Sequence, residues 1–462
     1  MDKIKITIED LFNIPGAVIY NPDDYKPVSS VVIDSRKIIK GSIFFAIQGE
    51  KFDGHDFVKE AIKKGARAVV INEKKLKKFS SVKIPIVTVK DTTVAFGQLA
   101  NIWRKKLFAK VISITGSNGK TTTKEILATL LAEKFSVVKT DANNNNHIGV
   151  PLTIFSADEN CEALVLEQGT NHFGEIEYSA KISQPNFAVI TNIGDSHLEF
   201  LKNRTGVYKE KSALLTETEK FGGKVILNLD DPIIRQNAKR FRNKITFGFK
   251  GKADVKGKIL GYTNDGRTKI EVSYKNRKVV VELPVCGQSN AKNFLAACAI
   301  AFEMGLSNKE IINGVIKIKS VHGRLEVVNY KKAVVIDDTY NASPASVEAA
   351  YDLVKKIKTF KNKIVVLGDI FELGKQSPKL HKELSNLFKP DKNLFVLTVG
   401  KLTQNLHKEL RRNKVRSIHF HFRLALSLYL QYEEIDNSVI LVKGSRGMMM
   451  EEFVNVLEKR FE

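Results

Sequence analysis

The fold is decided by the stretch Val111-Ile112-Ser113-Ile114-Thr115-Gly116-Ser117-Asn118-Gly119-Lys120-Thr121-Thr122. Its first five residues have the apolar, β-branched character of a buried strand, and the residues after Lys120 continue as an amphipathic helix. Between strand and helix, the glycines let backbone N–H groups curl around an anion, and the helix N-terminus adds a favourable dipole. This strand–loop–helix arrangement predicts a phosphate-binding loop in an α/β sheet.

Individual residues of this loop have distinct expected roles. Lys120 would reach the β- and γ-phosphates of a nucleotide, and the Thr121 hydroxyl would bind magnesium. The strict pattern G-x-x-x-x-G-K-[ST] is not met, because Ile114 occupies the position of its first glycine. The alternative is an ordinary strand-to-helix turn with an exposed lysine. The context favours nucleotide binding, with expected contacts from Gly116, Ser117, Asn118, Gly119, Lys120, Thr121 and Thr122.

The chain on the C-terminal side of the loop continues the same sheet. Further apolar strand patterns lie at residues 163–166, 187–190 and 225–229. They predict a mostly parallel sheet with crossover helices. Alternating residues at 269–274, beside the turn Asn264-Asp265-Gly266, predict an antiparallel ribbon added to that sheet. We expect a central ATP-binding domain over residues 109–319.

Two smaller α/β units flank this centre, as a chain of 462 residues is too long for one ordinary core. Residues 1–108 contain short β-branched runs and one helical stretch, Phe57 to Lys64, which predict a small N-terminal α/β domain. From residue 320 the alternation of strands and helices restarts. Strand patterns at 333–336, 364–367, 394–399 and 439–442 predict a Rossmann-like third domain over 320–462.

Composition indicates a soluble globular protein, with 43% hydrophobic and 27% charged residues. No apolar run approaches the roughly 20 residues that span a bilayer, so no membrane insertion is expected. The N-terminus, Met1-Asp2-Lys3-Ile4-Lys5, lacks the apolar core of a secretion signal. An odd number of cysteines without metal-ligand spacing argues against a disulfide framework. These features predict a cytoplasmic protein.

The net charge of +23 allows two interpretations. Basic surfaces attract nucleic acids, but they also form solvated lysine faces and bind anionic small molecules. The basic residues extend from Lys3 to Lys459 without forming one tract, and no nucleic-acid-binding motif is present. We therefore expect small anionic substrates and no nucleic-acid partner.

Three further residues are candidates for metal chemistry. Glu167 follows a strand, where a carboxylate facing a phosphate loop is well placed to bind magnesium, although a solvated edge carboxylate is an equal alternative. His197 follows the next strand along the chain, but a lone histidine is more often structural. Lys211 lies fourteen residues beyond His197 on a predicted helix, where an ordinary exposed lysine is the alternative and Lys209 is a nearby competitor.

Motifs along nearly the whole chain resemble, in order, those of the Mur ligase family, whose enzymes add amino acids or dipeptides to UDP-N-acetylmuramic acid. The loop Thr115-Gly116-Ser117-Asn118-Gly119-Lys120-Thr121 is similar to the family's phosphate loop. The other matching segments are Asp34-Ser35-Arg36, Phe52-Asp53-Gly54-His55-Asp56-Phe57, Asn143-Asn144-Asn145-Asn146-His147, Tyr340-Asn341-Ala342-Ser343-Pro344 and Lys443-Gly444-Ser445-Arg446. The order of these segments is more specific than any one of them.

The resemblance implies roles for particular residues. The implied catalytic residues are Lys120, His197, Lys211 and Arg324. Two magnesium ions are implied, with ligands from Thr121, Glu167, His197 and Lys211, the last as a CO2-derived carbamate. The remaining nucleotide contacts implied are Asn228, Asp230, Asn293, Arg324 and Asp338. The implied substrate contacts are Ser35, Arg36, Asp53, His55, Asn145, Asn146, Asn341, Lys443, Ser445 and Arg446. Ser289 departs from the family, which usually has histidine there.

The activity implied by the resemblance is an ATP-dependent amide ligation in peptidoglycan precursor synthesis. D-alanyl-D-alanine would be joined to UDP-N-acetylmuramoyl-tripeptide through an acyl phosphate, giving the pentapeptide, ADP and phosphate. The N-terminal domain would bind the UDP-linked substrate, and a monomer is expected. The alternatives are the tripeptide-forming ligase, a folylpolyglutamate synthetase, and a non-catalytic nucleotide-gated module that binds nucleic acid or anionic partners through its positive surface.

Overall fold

The structure is a computed structural model, and it describes residues 4–462. Three sheets of five, nine and six strands follow one another along the chain. The prediction made from the N-terminus depends on Met1, Asp2 and Lys3, which lie outside the described residues. Within residues 4–462, no helix is both long enough and apolar enough to cross a membrane.

The first sheet belongs to the N-terminal unit. Its elements are α1 (Ile8–Phe12), β1 (Val18–Tyr20), β2 (Ser30–Val32), β3 (Ser42–Phe45), α2 (Val58–Lys63), β4 (Ala68–Asn72), β5 (Ile86–Val89) and α3 (Thr92–Lys106). The strand order is β1-β5-β4-β3-β2, with β2 to β5 parallel and β1 antiparallel to β5. The sequence patterns predicted β2 to β5 and α2 but missed α3, the longest helix of this unit.

Helix α3 joins the first sheet to the second. It begins after Asp91, whose carboxylate accepts hydrogen bonds from the N–H groups of Thr93 and Val94. At its other end Trp103 is buried, and its indole N–H donates to the Ala157 carbonyl at 3.0 Å. Apolar side chains of both units pack around α3 in one buried cluster. The first two units therefore share a core.

The second sheet is the nine-stranded centre. Its elements are β6 (Lys110–Thr115), α4 (Lys120–Leu131), β7 (Val137–Lys139), α5 (Gly149–Phe155), β8 (Ala163–Glu167), α6 (Glu175–Ser183), β9 (Phe187–Ile190), α7 (Leu198–Leu201), α8 (Arg204–Lys220), β10 (Lys224–Asn228), α9 (Pro232–Asn237), β11 (Lys244–Gly248), β12 (Val255–Tyr262), β13 (Arg267–Tyr274), β14 (Arg277–Cys286), α10 (Gly287–Glu303) and α11 (Asn308–Lys317). The predicted antiparallel ribbon is confirmed, since β13 pairs antiparallel with both β12 and β14.

The position of β6 explains where ligands can bind in this sheet. The strand order is β14-β13-β12-β11-β10-β9-β6-β8-β7, and β6 to β12 are parallel. Because β8 and β9 lie on opposite sides of β6, the chain reverses its direction of winding at this strand. Open α/β sheets bind ligands beyond the carboxyl ends of their strands at such a switch point.

The third sheet follows a linker that contains residues 318–325. Its elements are β15 (Glu326–Asn329), β16 (Ala333–Asp338), α12 (Pro344–Lys356), β17 (Asn362–Gly368), α13 (Ser377–Glu383), β18 (Leu394–Val399), α14 (Thr403–Arg412), β19 (Ser417–Phe420), α15 (Arg423–Tyr432), β20 (Ser438–Lys443) and α16 (Glu451–Phe461). The order is β15-β16-β20-β17-β18-β19, with only β15 antiparallel among these described strands. The predicted Rossmann-like α/β arrangement is confirmed, although the patterns missed β15 and β19.

Short 3-10 helices complete the three units. They lie at Pro22–Asp24, Ser35–Lys37, Gly54–Phe57, Glu73–Phe79, Ala238–Arg240, Gly374–Gln376, Leu384–Leu387 and Arg446–Met448.

Candidate active site

A cleft of about 790 Å³ lies beyond the carboxyl ends of the central strands and is bordered by the linker and the third unit. Predicted residues that line it are Ser117, Asn118, Gly119, Lys120, Thr122, Asn145, Glu167, His197, Asn228, Asp230, Asn293, Arg324, Asp338, Asn341, Lys443, Ser445 and Arg446. The tertiary structure thus brings residues that are distant in sequence, from Ser117 to Arg446, into one cleft.

The phosphate loop between β6 and α4 has a backbone that only glycine fits at two positions. Gly116 has φ of +150°, and a Cβ there would lie 1.9 Å from the Thr191 hydroxyl oxygen. Gly119 has φ of +81°, and its Cβ would lie 2.3 Å from the Asn293 side-chain oxygen. Both clashes are far inside van der Waals contact, so the loop depends on glycine for close packing as well as for its turn.

Side chains after β9 hold the phosphate loop in place. The Asn118 carbonyl accepts hydrogen bonds from the Thr191 hydroxyl at 2.6 Å and from the Asn192 side-chain N–H at 2.9 Å. The Asn118 N–H in turn donates to the Asn192 side-chain oxygen at 3.0 Å. The sequence patterns did not single out Asn192, although it lies in the same segment as His197. The signal that could have identified Asn192 is its position just after β9, at the carboxyl end of that strand.

Lys120 lies at the start of α4 with its side chain turned back onto the loop. Its Nζ donates to the Gly116 carbonyl at 2.9 Å. Burial lowers the pKa of Lys120, the nearby Arg324 lowers it further, and the Glu167 carboxylate opposes both. A desolvated cation beside the phosphate loop is suited to bind the anionic groups of a nucleotide.

Glu167 ends β8 inside the cleft and is buried. One of its carboxylate oxygens accepts a hydrogen bond from the Asn145 side chain at 2.9 Å. The other oxygen is buried and has no hydrogen-bond partner within the described part of the chain. A buried carboxylate oxygen without a donor is costly unless a cation binds it. The Glu167 environment therefore fits a hard metal ion such as Mg²⁺.

His197 has a left-handed backbone, with φ of +52°, and it precedes α7. Its Nδ1 lies 2.8 Å from Oε2 of Glu372, which belongs to the third unit. The His197 ring lowers the pKa of Glu372. Glu372 was not predicted, although it lies in a loop at the carboxyl end of a strand. The structure brings the two residues together across the cleft.

Lys211 is completely buried on α8, and its Nζ has no hydrogen-bond partner among residues 4–462. Burial and the charge of Lys120 lower the pKa of Lys211 to about 7, while Glu210 opposes this shift. Lys209, the competing candidate, is exposed on the same helix. A buried amine with this pKa is substantially neutral near pH 7, which suits it to react with CO2.

The residues of the central unit that are predicted to contact the nucleotide also form hydrogen bonds within the protein. The Asn228 side-chain N–H donates to the Thr191 carbonyl at 2.7 Å. The Asp230 carboxylate accepts from the N–H groups of Phe249 and Lys250, both at 2.9 Å. Asn293 lies against Gly119 at the other wall of the cleft. These bonds orient side chains that line the cleft.

The guanidinium carbon of Arg324, in the linker, lies 4.0 Å from the centre of the Tyr340 ring, in the third unit. Its Nε is buried and has no hydrogen-bond partner in the described chain. Asp338 forms a buried ion pair of 2.6 Å with Lys443. Lys443 also donates to the Asn341 carbonyl at 2.9 Å, so its ammonium holds two loops together.

Ser445 and Arg446 lie at the end of β20. The Ser445 hydroxyl accepts from the Phe371 N–H at 2.8 Å and is buried. Arg446 is exposed and lies 3.4 Å from Glu451. Asn341 is exposed at the cleft. Arg446 and Asn341 are therefore accessible from the cleft, whereas the Ser445 side chain is buried and supports a neighbouring loop.

The predicted substrate residues of the first unit do not line this cleft. Ser35 is buried, and Arg36 forms two hydrogen bonds to Asp34, at 2.9 and 2.8 Å. Asp53 accepts from Lys75 at 2.6 Å, and the buried His55 accepts from the Asn72 N–H at 2.9 Å. These contacts define the shape of two loops in the first unit, and ligand contacts there stay a prediction.

Four other predicted residues are also absent from the cleft lining: Gly116, Thr121, Asn146 and Lys211. Gly116 and Thr121 belong to the loop and to the first turn of α4. The Asn146 side chain accepts from the Gly149 N–H at 2.8 Å at the start of α5. Asn145, its neighbour, is therefore the residue of this pair that faces the cleft.

One cleft contains a phosphate loop, a buried carboxylate with an unpaired oxygen among residues 4–462, and an arginine from the linker. Together these features define a nucleotide-dependent enzyme of three α/β units. Three family models match the chain: "Mur ligase family, catalytic domain" at residues 27–104, "Mur ligase middle domain" at 114–301, and "Mur ligase, glutamate ligase domain" at 323–446. The chain belongs to the Mur ligase family.

Curated relatives and solved structures agree with this assignment. The UDP-N-acetylmuramoyl-tripeptide–D-alanyl-D-alanine ligase of Bacillus subtilis (strain 168) is 33% identical, with 98% of each chain covered. The enzyme of the same name from Escherichia coli (strain K12) is 31% identical over 99% of each chain. A crystal structure of MurF from Acinetobacter baumannii has a TM-score of 0.88 at 29% identity, covering 99% of this chain and 100% of that one. The MurF ligase from Thermotoga maritima in complex with ADP has a TM-score of 0.80 at 29% identity, covering 94% and 97%.

Proposed function

We propose that this chain is the ATP-dependent ligase that joins D-alanyl-D-alanine to UDP-N-acetylmuramoyl-tripeptide. The observation that carries the proposal is the single cleft in which the phosphate loop, Glu167, His197 and Arg324 converge. Full-length relatives that bear this activity in their names support it. The products are UDP-N-acetylmuramoyl-pentapeptide, ADP and phosphate.

The reaction proceeds in two steps. An oxygen of the terminal carboxylate of the tripeptide attacks the γ-phosphorus of ATP, and the bond to the β-phosphate oxygen breaks, giving an acyl phosphate and ADP. The neutral amine of D-alanyl-D-alanine then attacks the acyl carbon. The tetrahedral intermediate expels phosphate as the nitrogen loses its proton, which leaves the new amide. Phosphorylation is needed because a free carboxylate is a poor acyl donor.

The chain's own cations stabilise the charge that develops during transfer. Lys120 lies at the phosphate loop, and Arg324 approaches from the linker, so both can neutralise the transferred phosphoryl group. Closure of the third domain over the cleft would exclude water that could hydrolyse the acyl phosphate. Most of the catalytic effect is therefore positioning and electrostatics.

Magnesium is part of the proposal, because the donor set fits it. Thr121, Glu167, His197 and a carbamate on Lys211 would hold two ions, which would supply positive charge to the phosphate oxygens. The unpaired oxygen of Glu167 and the unpaired, buried amine of Lys211 support these roles. Addition of CO2 to a neutral Lys211 would replace a buried cation with an anionic oxygen ligand.

Domain roles, assembly and location complete the proposal. Residues 1–108 bind the UDP-linked substrate, residues 109–319 bind ATP, and residues 320–462 bring the incoming amine. A monomer is proposed, as expected from the family resemblance. The need for ATP and a nucleotide-linked precursor favours the cytoplasm, in keeping with the expectation from composition.

The direct test measures phosphate release from ATP and magnesium with purified UDP-N-acetylmuramoyl-tripeptide, with and without D-alanyl-D-alanine. We expect release that needs both substrates and a product heavier by one dipeptide. Activity only with the UDP-muramoyl dipeptide and a single amino acid would indicate the tripeptide-forming enzyme instead. Binding to random DNA without turnover would favour the nucleotide-gated module.

The carbamate is tested by comparing Lys211→Met with Lys209→Met. We expect Lys211→Met to lose about a hundredfold or more in kcat, the scale for removing a group that stabilises transition-state charge. Lys209→Met should keep nearly full activity, because Lys209 is exposed on the same helix. Labelled bicarbonate should give a carbamate carbon signal in wild type and in Lys209→Met only. The same signal in Lys211→Met would contradict the assignment.

A further inference from the structure

The linker between the second and third units contains a cluster outside the nucleotide cleft. His322 belongs to the linker, Glu326 begins β15, and Asp337 lies near the end of β16. One ligand-type atom from each of the three residues lies within 4.8 Å of the others. Neither the phosphate loop nor Glu167, His197 or Lys211 belongs to this cluster. The proposed ligation reaction therefore assigns no role to the cluster of His322, Glu326 and Asp337.

The two carboxylates face each other across a strand pair. Glu326 and Asp337 are direct partners in the antiparallel register of β15 and β16. Like charges in this relation destabilise a sheet unless a positive group lies between them. His322 is the group that approaches both, with Nδ1 at 3.0 Å from Glu326 and 3.8 Å from Asp337.

Asp337 provides a second, independent observation. Its side chain is 2% exposed, and one carboxylate oxygen, Oδ2, is buried without a hydrogen-bond partner in residues 4–462. This is the oxygen that faces His322. The other oxygen, Oδ1, accepts from the Thr339 N–H at 3.0 Å and from the Thr339 hydroxyl at 2.6 Å. Thr339 thus orients the carboxylate and leaves one oxygen free, as outer-shell partners do at metal sites.

Glu326 is arranged in the same way. Its Oε1 accepts a hydrogen bond from the Ser320 hydroxyl at 3.1 Å, while its Oε2 faces His322. Each carboxylate therefore has one oxygen held by a hydroxyl and one directed at the imidazole. His322 is the exposed member, with 83% of its side chain accessible, so solvent and ions can enter from that side.

The spacing suits a tetrahedral ion. Zinc bonds of about 2.1 Å to nitrogen and oxygen place neighbouring ligand atoms about 3.4 Å apart. The observed separations of 3.0 and 3.8 Å lie on either side of this value. One imidazole and two carboxylates, with water in the fourth position, form a ligand set that zinc accepts. Magnesium requires near-octahedral geometry and keeps several waters, so it fits three protein ligands at tetrahedral spacing less well than zinc does.

We propose that His322, Glu326 and Asp337 bind a zinc-like divalent cation at the linker. His322 and Glu326 lie on either side of Arg324 in the sequence, and Arg324 lines the nucleotide cleft. The cation fixes the linker to the β15–β16 pair and thereby restrains the arginine that approaches ATP. The site acts on domain closure and is separate from the magnesium ligands.

The test measures zinc bound by the full chain after dialysis with Zn²⁺ in the presence of excess Mg²⁺ and ADP, which occupy the nucleotide cleft. We expect His322→Asn to retain one zinc ion fewer per chain than wild type. His172→Asn is the matched control, because His172 is an exposed histidine 3.3 Å from a single carboxylate, Glu175. It should retain as much zinc as wild type. Equal zinc in His322→Asn and wild type would overturn the proposal.

Asp337→Asn gives a second measurement that preserves side-chain shape. Circular dichroism first confirms that this variant is folded. It should lose the same zinc ion as His322→Asn, and zinc should raise the melting temperature of wild type more than that of either variant. A folded Asp337→Asn variant with wild-type zinc content would contradict the assignment of this ligand.

The link to Arg324 is tested kinetically at saturating magnesium. Without zinc, His322→Asn should have the KM for ATP of wild type. Added zinc should change this KM in wild type and leave it constant in His322→Asn. An equal change in both proteins would place the zinc effect in the nucleotide cleft and reject the proposed coupling.

Discussion

The central sheet meets its two neighbours through interfaces of opposite character. On the N-terminal side, α3 inserts into an apolar cluster to which the central unit contributes Val111, Val150, Ile154, Phe155, Leu164, Leu166 and Ile182. On the C-terminal side, the main buried cluster of the third unit includes only Cys286 from the central sheet. The first boundary is a shared core, whereas the second combines local apolar contacts, such as Leu353 against Gly266 and Gly287, with polar bonds.

Bonds between loops are part of this second boundary. The Ser343 hydroxyl donates to the Asn118 side-chain oxygen at 3.1 Å, and Glu372 meets His197 at 2.8 Å. Each contact ends on the phosphate loop or on a predicted metal ligand. Breaking a single polar bond costs little free energy, whereas separating a shared apolar core costs much more. From this difference we expect the first two units to move as one body and the third to be the domain that opens.

The largest effect is expected from Trp103→Ala at the apolar boundary. Removing this buried ring should lower the free energy of unfolding by about 3–5 kcal/mol, from lost burial and the cavity left behind. Urea unfolding measures it. Phe108→Ala is the control, since Phe108 is 94% exposed and its removal should change stability by less than about 0.5 kcal/mol. A small effect of Trp103→Ala would mean that the two units do not share a core.

A smaller effect is expected from Ser343→Ala at the second boundary. Ser343 caps α12 as well as bonding Asn118, so the variant should lose about 1 kcal/mol of stability. Ser307→Ala is a matched control, because Ser307 caps α11 with the same capping box but does not contact Asn118. Both variants should lose similar stability. Only Ser343→Ala should raise the KM for ATP, by up to about 5-fold for one lost hydrogen bond.

The smallest stability effect is expected from Glu372→Gln, which keeps the side-chain shape but removes the charge facing His197. Glu372 is 48% exposed, and partly exposed ion pairs contribute less than about 1 kcal/mol. The free energy of unfolding should therefore hardly change. Small-angle scattering without substrates should show a larger radius of gyration, because one bond that holds the third unit closed is lost.

Glu199→Gln is the control for that experiment, since Glu199 is an exposed carboxylate in the same contact region. It should leave the radius of gyration unchanged. An equal radius for Glu372→Gln and wild type would show that the pair does not hold the domains together. The boundary would then depend on its other polar bonds, which include Ser343 to Asn118 and Lys356 to Tyr262.

The elements that the sequence predicted are those whose local pattern is strong. Strands β6, β8, β9 and β10 are mostly apolar runs whose short length distinguishes them from helices. Helix α3 was missed although Asp91 is a clear N-cap. The buried face of the helix packs against another domain and includes Gly97 and Arg104, which interrupt its apolar pattern. Edge strands β15 and β19 were missed because each is mostly only partly buried and mixes polar with apolar residues, so neither forms a continuous apolar run.

Site residues divide in a similar way. Glycines at 116 and 119 and the lysine at 120 were predictable, because their chemistry depends on neighbours in the sequence. Glu372 was not, since its role depends on His197, which approaches it only after two domains pack together. The buried pair of Asp338 and Lys443 shows the same limit, as the two residues are far apart in the chain and adjacent in the sheet.

The sequence by itself determined the class of fold, the phosphate loop and the family, because strand periodicity, glycine spacing and motif order are all local properties. Only the tertiary structure decided that, among residues 4–462, Lys211 is buried without a partner and Glu167 keeps a free oxygen, and that His322 faces two carboxylates. Burial and pairing depend on residues that are distant along the chain. They arise when the sheets and the linker pack, which no local pattern records.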